Sequence, residues 1–496
     1  MARQKTERSV AMPEKRCGSM QTAVAAAHTA AGRSRLLSVA AFSLLFAYLL
    51  SFLFEGRVMY GLMAHFGRQT PLVVTLAVIS HCAGLFFCGF FLKTPGAVKR
   101  AALVYAGLCL LGSVPFFFSP GPLWLVSGVV CGFTAGCAVA SWGYFFKTLS
   151  SKQERFKTCA DCLAGTYVLL FILNLISAHA SPFLALALAM LCLTAGAACV
   201  CRLPTAEASR DEEEKRTGPS DLRQSLLLLC AFIVILTVDS GLMYRAVSPA
   251  FAHLPKLTGW YSALPYLAAL LVMRRLSERK GQTLRSAMLY IGLGLLMLSF
   301  LAFMLTERSV GAYLTVTTLM VFAFGIFDLF WWSILGDMLE FTDNPVRLFG
   351  IGLSANVFGV LLGRFIGEGF TALALSPSNI TVTALVVICL ATALLPPLNR
   401  KLAQLLKSHA YLTAYSELKE PERKQAVLSI QPLGPLTERE NEILSLLLEG
   451  RSNKAIAEES FVTENTVKSH VKSILSKYGA ASRAELISLL LRNQVK

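Results

Sequence analysis

Five ionisable side chains fall inside long apolar runs of this chain: His81, Asp239, Asp328, Arg364 and Glu368. A charge in hydrocarbon is costly, so each must face a water-filled cavity or find a partner, and on that ground the five are the candidate ligand-binding residues. The competing reading is structural. Arg364 and Glu368 stand four apart, on one helical face, and can satisfy each other. Asp239 and Arg364 fall at comparable depth in the topology derived below, which leaves a pair between them geometrically open. His81 follows Ser80 and can be held by hydrogen bonds to neighbouring helices. Asp328, close to Trp331 and Trp332, reads more readily as interfacial than as ligand-binding. Cys159 and Cys162 have the spacing of a redox or metal pair, yet no second pair or nearby His completes a site. Most of the thirteen cysteines lie in apolar runs, where a thiol acts as a small apolar side chain. With no nucleophile, acid-base pair or Gly-rich phosphate loop, the sequence predicts no enzymatic activity, no cofactor and no metal.

The elements that position these residues are membrane spans. The chain has 496 residues, 55% apolar and only 15% charged, which lies outside the range of soluble proteins. Runs of about 18 to 24 mostly apolar residues, long enough to cross a bilayer, start near Leu36, Pro71, Ala101, Pro122, Cys162 and Pro182. A hydrophilic stretch, 202–223, follows. Further runs start near Gln224, Thr258, Ser286, Gly311, Phe349 and Asn379, the last ending near Leu398. The reading is a twelve-span domain over 36–398, with halves 36–201 and 224–398, preceded by a basic tail over 1–35. The run from Leu36 to Phe54 has no small-residue cleavage site and reads as a retained span.

The formal charge of +16 reads as topology. Lysines and arginines concentrate in the tail and in alternate loops, for example Lys93, Lys99 and Arg100, then Lys147, Lys152, Arg155 and Lys157, then Arg274 to Arg285. The intervening loops hold only Arg57, Arg68, Arg245, Lys256 and Arg308. The positive-inside rule then places both termini in the cytoplasm. One inward loop departs from the pattern, with Asp337, Glu340 and Asp343 against Arg347. Six spans, a charged loop and six more resemble the major facilitator architecture, in which two six-helix halves surround a central cavity. The segment Arg274 through Ser277-Glu278-Arg279-Lys280-Gly281 looks like that family's basic, Gly-containing loop. Its first-half counterpart, Lys93 to Arg100, lacks the acidic residue and most of the pattern.

After Pro396-Pro397, residues 399–435 form a connector. Leu402, Leu405, Leu406, His409 and Leu412 recur at helical spacing opposite Arg400, Lys401, Gln404 and Lys407, which predicts an amphipathic helix on the inner leaflet, beneath the bundle or against another protomer. A charged tether closes on Pro432-Leu433-Gly434-Pro435.

Residues 436–496 carry the most specific signal. Thr437 with Glu440 makes a capping box, Ile443, Leu444, Leu447 and Leu448 form the apolar face of the helix it opens, and Gly450 ends that helix. A short second helix opens at Ser452-Asn453-Lys454. Thr463 caps a third helix with a buried stripe of Val467, Val471, Ile474 and Tyr478, ending at Gly479, and Ser482 with Glu485 opens a fourth bearing Leu486, Leu489 and Leu490. A short helix, a turn and a longer basic helix is the arrangement that places a recognition helix in the major groove. The four motifs Leu436-Thr437-x-Arg439-Glu440, Gly450-x-Ser452-Asn453-Lys454-x-Ile456-Ala457, Thr466-Val467-Lys468-x-His470-Val471 and Ser482-Arg483-Ala484-Glu485-Leu486 together resemble a LuxR-type helix-turn-helix. The resemblance implies double-stranded DNA as partner, base contacts from Lys468, Ser469 and Lys472, phosphate contacts from Thr466 and Lys477, and dimerisation through the fourth helix. The fold class expected is all-α: a six-plus-six helical membrane bundle and a C-terminal four-helix DNA-binding domain. The function expected is a membrane-bound, one-component transcription regulator with an unidentified small-molecule ligand; the alternative is a secondary transporter with an appended regulatory module.

Overall fold

The structure, a computed structural model, describes residues 14–54, 56–67, 71–204, 221–258, 260–373, 377–417, 432–448, 451, 453–480, 486 and 489. All regular structure among them is helical. The first half of the membrane domain comprises α1 (Glu14–Tyr48), continued through a π turn and α2 (Arg57–His65), then α3 (Pro71–Phe91), α4 (Pro95–Ser113), α5 (Pro122–Leu149), α6 (Arg155–His179) and α7 (Pro182–Arg202). The second half comprises α8 (Asp221–Ala250), α9 (Ala263–Leu305), α10 (Val310–Met338), α11 (Pro345–Ala372) and α12 (Pro377–Glu417). Six of these helices open on proline, whose missing N–H costs nothing in the first turn. Several begin before the apolar runs read from sequence, α6 at Arg155 instead of Cys162 and α11 at Pro345 instead of Phe349. Charged first turns lie outside an apolar window yet still belong to the helix.

Eleven helices among the described residues are long and apolar enough to cross a membrane, so the chain is a polytopic membrane protein. The 43 residues of α9 would extend about 65 Å as a straight rod, twice a bilayer core of about 30 Å. Instead both arms of α9 pack on α10 at matching heights. Ala269 lies against Gly325 while Gly292 lies against the Phe327 ring, and Ser299 donates to the Val316 carbonyl close to where Tyr261 meets Thr318. The first arm, 263–277, thereby takes the place of the eighth apolar run.

The halves meet along two seams, α3 and α5 against α11, and α6 against α9 and α10. Lipid tails give helices no hydrophobic reason to associate, so close approach through small residues supplies the packing. At Gly350 of α11 an added methyl would stand 2.2 Å from the Leu85 carbonyl oxygen of α3, whereas nothing lies within 4 Å of the same position at Gly107. Helix α12 continues through Pro396-Pro397 to Glu417 without interruption, so the last span and the backbone of the expected amphipathic helix are one element. Leu402 is buried; the side chains from Gln404 onward lie outside the described residues.

The C-terminal domain has its own small core of Ile443, Leu444, Leu447, Ile456, Val467, Ile474 and Leu486. Its helices are α13 (Glu438–Leu448), α14 (Asn453–Glu459) and α15 (Glu464–Lys477). The expected fourth helix falls mostly outside the described residues, but Leu486 is fully buried in this core and Leu489 packs on it. Gly479, at φ +63°, ends α15 as expected, with the Ala480 N–H returning to the Leu475 carbonyl.

Overpacking should therefore separate two glycines of the bundle. Gly350→Ala is expected to cost about 1–3 kcal/mol, read as a lower melting temperature of the detergent-solubilised protein, and Gly107→Ala to melt no lower than wild type. Equal melting of both variants would contradict the packing described.

Candidate functional site

Between the two halves lies a cavity of about 760 Å³. Of the five intramembrane ionisable residues, the structure brings three to it, His81, Asp328 and Arg364, and adds Arg57, Asn174 and Asn356, which the sequence did not single out. His81 is buried, stands edge-on to Phe54, and has no hydrogen-bond partner at Nδ1 among the described residues. Asp328 faces the cavity instead of an interface. It accepts a 2.7 Å hydrogen bond from Tyr266, whose ring stacks on Tyr167 across the seam at 3.6 Å.

Arg364 is paired with Glu368 at 3.2 Å within α11, the local pair that their spacing allows. The pair between Asp239 and Arg364 is not made: Asp239 is fully buried, and neither carboxylate oxygen has a hydrogen-bond partner among the described residues. The neighbouring turns of α8 explain this. Thr237, Val238 and Gly241 meet the α11 backbone at Gly359, Val360 and Gly363, and Thr237 donates to the Asn356 carbonyl. Asp239, one residue beyond Val238, is rotated off that contact. Cys159 and Cys162 are buried and in no disulfide, and no cluster of metal-ligating side chains occurs among the described residues.

At one end of the bundle the halves are joined by a polar seam invisible to spacing arguments. Asp161 of α6 accepts from Arg35 of α1 at 2.6 Å and pairs with Arg274 of α9 at 3.1 Å, so one carboxylate bridges the halves. Arg155, buried at the start of α6, donates to the Gly336 carbonyl at 2.9 Å and forms an ion pair with Glu340. Lys147 reaches the Thr342 carbonyl at 2.7 Å, and Asn344 the Gly89 carbonyl at 2.8 Å. These contacts all gather at the face where α6 begins. The cavity extends the other way, to Asn174 near the end of α6 and Phe251 beyond the end of α8. The acidic loop that departed from the charge pattern supplies Glu340, one of the seam's partners.

In the C-terminal domain the capping box forms reciprocally: the Glu440 N–H reaches Thr437 Oγ1 at 3.2 Å, and the Thr437 N–H reaches Glu440 Oε2 at 2.8 Å. The same buried carboxylate accepts from Ser473 and from Lys477, each at 2.6 Å, and so fixes α15 against the start of α13. Lys477, also bonded to the Pro435 carbonyl, is engaged within the domain. Thr466 bonds the N-cap, Thr463, through both its hydroxyl and its N–H. Lys468, Ser469 and Lys472 are exposed together on one face of α15, with Asn465 and Ser476. Lys468 forms an exposed ion pair with Glu464 at 2.9 Å, a type of contact that contributes little and exchanges readily. The opposite face is buried as expected at Val467, Ile474 and Tyr478 and only half-buried at Val471.

Comparison with known proteins separates the two bodies. A model of bacterial regulatory proteins of the luxR family matches residues 434–490. The transcriptional regulatory protein LiaR of Bacillus subtilis is 45% identical over 64 residues, 13% of this chain and 30% of LiaR. The spore germination protein GerE of Bacillus subtilis is 36% identical over 69 residues, 14% of this chain and 90% of GerE. The chain thus spans under a third of LiaR but nearly all of GerE. Over 73% of the chain the fold is similar to that of the human organic anion transporter MFSD10 (TETRAN), with TM-score 0.55, 15% identity and 98% of that structure covered. It is likewise similar to the major facilitator superfamily transporter FucP in its outward conformation, with TM-score 0.51, 13% identity and 98% covered.

The Glu440 hub makes the DNA-binding domain acid-sensitive. The Lys477 ammonium first, then the Ser473 hydroxyl and the Thr437 N–H, hold its carboxyl at about 2, below the ordinary 4.5. A depressed folded-state pKa stabilises above the unfolded value and loses that stabilisation as pH falls toward the folded one. Stability of residues 434–496 should therefore fall between pH 4.5 and about 2, and Glu440→Gln should be about 1–3 kcal/mol less stable at pH 7, with the difference shrinking across that window. A difference that does not vary with pH would refute the role given to Glu440.

Proposed function

Because the chain belongs, through its C-terminal domain, to the luxR family of bacterial regulatory proteins, we propose that it is a membrane-bound, one-component transcription regulator. The carrying observation is the exposed face of Lys468, Ser469 and Lys472 on a helix whose other polar groups are largely engaged within the domain. Lys468, Ser469 and Lys472 read base edges of double-stranded DNA, and Thr466 contacts phosphate. Lys477 contacts phosphate only by exchanging part of its bonding to Glu440 and Pro435. Two copies on one operator give the symmetry such sites use, with the fourth helix joining them. Leu486 lies in the core of its own protomer, which leaves that contact to other residues of the helix.

The charge asymmetry of the loops supports a bacterial inner-membrane location with both termini in the cytoplasm, so the DNA-binding domain and the polar seam share one side of the bilayer. A small molecule in the cavity, contacting His81, Asp328 and Arg364, biases the halves between states that make and break the seam. Asp239 and Glu368 act behind that site, Glu368 through its pair with Arg364. Helix α12, continuous from the last span to Glu417, carries the change toward the DNA-binding domain and meets the bilayer surface with its basic residues. A secondary transporter with an appended regulatory module draws on the same cavity and fold. Flux of a bound compound into vesicles distinguishes the two readings.

The first test is selection of genomic DNA fragments by residues 434–496 at fixed salt. Wild type is expected to retain a restricted set of fragments, and the Lys468→Ala/Lys472→Ala variant to lose them, about 1–3 kcal/mol per specific contact. Retention of the same set by the variant would refute the assigned DNA face.

A further inference from the structure

The turn between α14 and α15 presents Phe461 in a way that the folding of the domain does not explain. Its side chain is 95% exposed, and at φ +55° it is the only non-glycine among the described residues in the left-handed region. Both features oppose folding. An L-residue there brings Cβ against its own carbonyl, and a solvated phenyl ring forgoes burial.

The residues around it are all employed. Ser460 is buried, and its carbonyl accepts from Arg439. The Val462 N–H bonds the Ala457 carbonyl, and its side chain packs on the domain core. Thr463 caps α15. The turn is thus held from both sides while the ring projects outward. It stands two residues before that cap, at the N-terminal end of α15, the end of a recognition helix that meets base edges. Beyond the exposed Thr463 and Glu464, the exposed residues Asn465, Lys468 and Ser469 belong to the proposed DNA face, which among the described residues offers only Lys468 and Lys472 as cations.

We propose that Phe461 is a DNA contact, an apolar anchor that lies against deoxyribose and thymine methyl groups at the rim of the major groove. It supplements a face poor in charge. The strained turn aims the ring before binding, so none of its orientation has to be acquired on the DNA. The inference rests on the DNA face assigned above.

The test measures affinity of the full-length protein in nanodiscs for a selected fragment across a salt series, together with melting. Phe461→Asn suits the left-handed turn and should melt no lower than wild type. It is expected to bind about tenfold more weakly with an unchanged salt slope, because an apolar contact releases no counterions. Phe461→Tyr keeps the ring and should bind as wild type. Wild-type affinity in Phe461→Asn, with binding lost in Lys468→Ala/Lys472→Ala, would overturn the proposal and leave the DNA face standing. Wild-type affinity in both variants would overturn the DNA face and the proposal together. A reduced salt slope in Phe461→Asn would assign the loss to phosphate contacts and also overturn it.

Discussion

A charged group inside a bilayer must have a partner or border water, and the membrane domain is arranged around that constraint. It sorts the ionisable residues into distinct places. Arg35, Asp161 and Arg274 satisfy one another at one end of the bundle, as do Arg155 and Glu340, while Asp328, His81 and Arg364 border the cavity. The pairs differ in consequence. Arg364 and Glu368 belong to one helix, so their pairing does not depend on how the halves sit. Asp161 with Arg274 and Arg155 with Glu340 each need both halves in contact. Buried or half-buried pairs of this kind add little net stability, yet breaking one leaves a charge uncompensated, so they act as all-or-none fasteners. The Tyr167–Tyr266 stack ties that fastening to the cavity, because the Tyr266 hydroxyl is held by Asp328. A molecule that engages Asp328 competes with the hydrogen bond that holds Tyr266, the second-half ring of that stack.

The DNA-binding domain has the same logic on a smaller scale. With a core of few side chains, it relies on one buried carboxylate, Glu440, to tie the start of α13 to the end of α15. That tie occupies Lys477 and leaves the stripe from Asn465 to Ser476, the face proposed to meet DNA, exposed. Orientation of the recognition helix is therefore settled within the domain.

Much of this was legible in the sequence wherever the signal is local. The capping box at Thr437, the cap at Thr463, the left-handed Gly479 and the buried stripe of Val467, Ile474 and Tyr478 all follow from short-range chemistry. The apolar runs found the membrane helices, and the charged loops anticipated a two-half architecture. What escaped were contacts between residues far apart in the chain. Arg155 and Arg274 read as loop charges, and Glu340 as an exception to a topology rule, because nothing in their own segments announces a partner across a seam. Asp239 and Arg364 were matched by depth alone; rotation about the helix axis, which depth does not reveal, keeps them apart. Phe461 escaped for a different reason, since its φ is a property of the turn and not of the residue type.

In the proposed function, the state of the membrane domain governs the DNA-binding domain. The most direct measurement compares DNA affinity of the full-length protein in nanodiscs, wild type against Asp161→Asn, with the separate domain 434–496 as reference. Removing the carboxylate leaves Arg35 and Arg274 without their bridge. A several-fold change in affinity of the full-length variant, with the reference domain fixing the affinity free of the membrane domain, is the predicted result. Identical affinities for wild type, variant and reference domain would contradict the account, since the bundle would then be only an anchor.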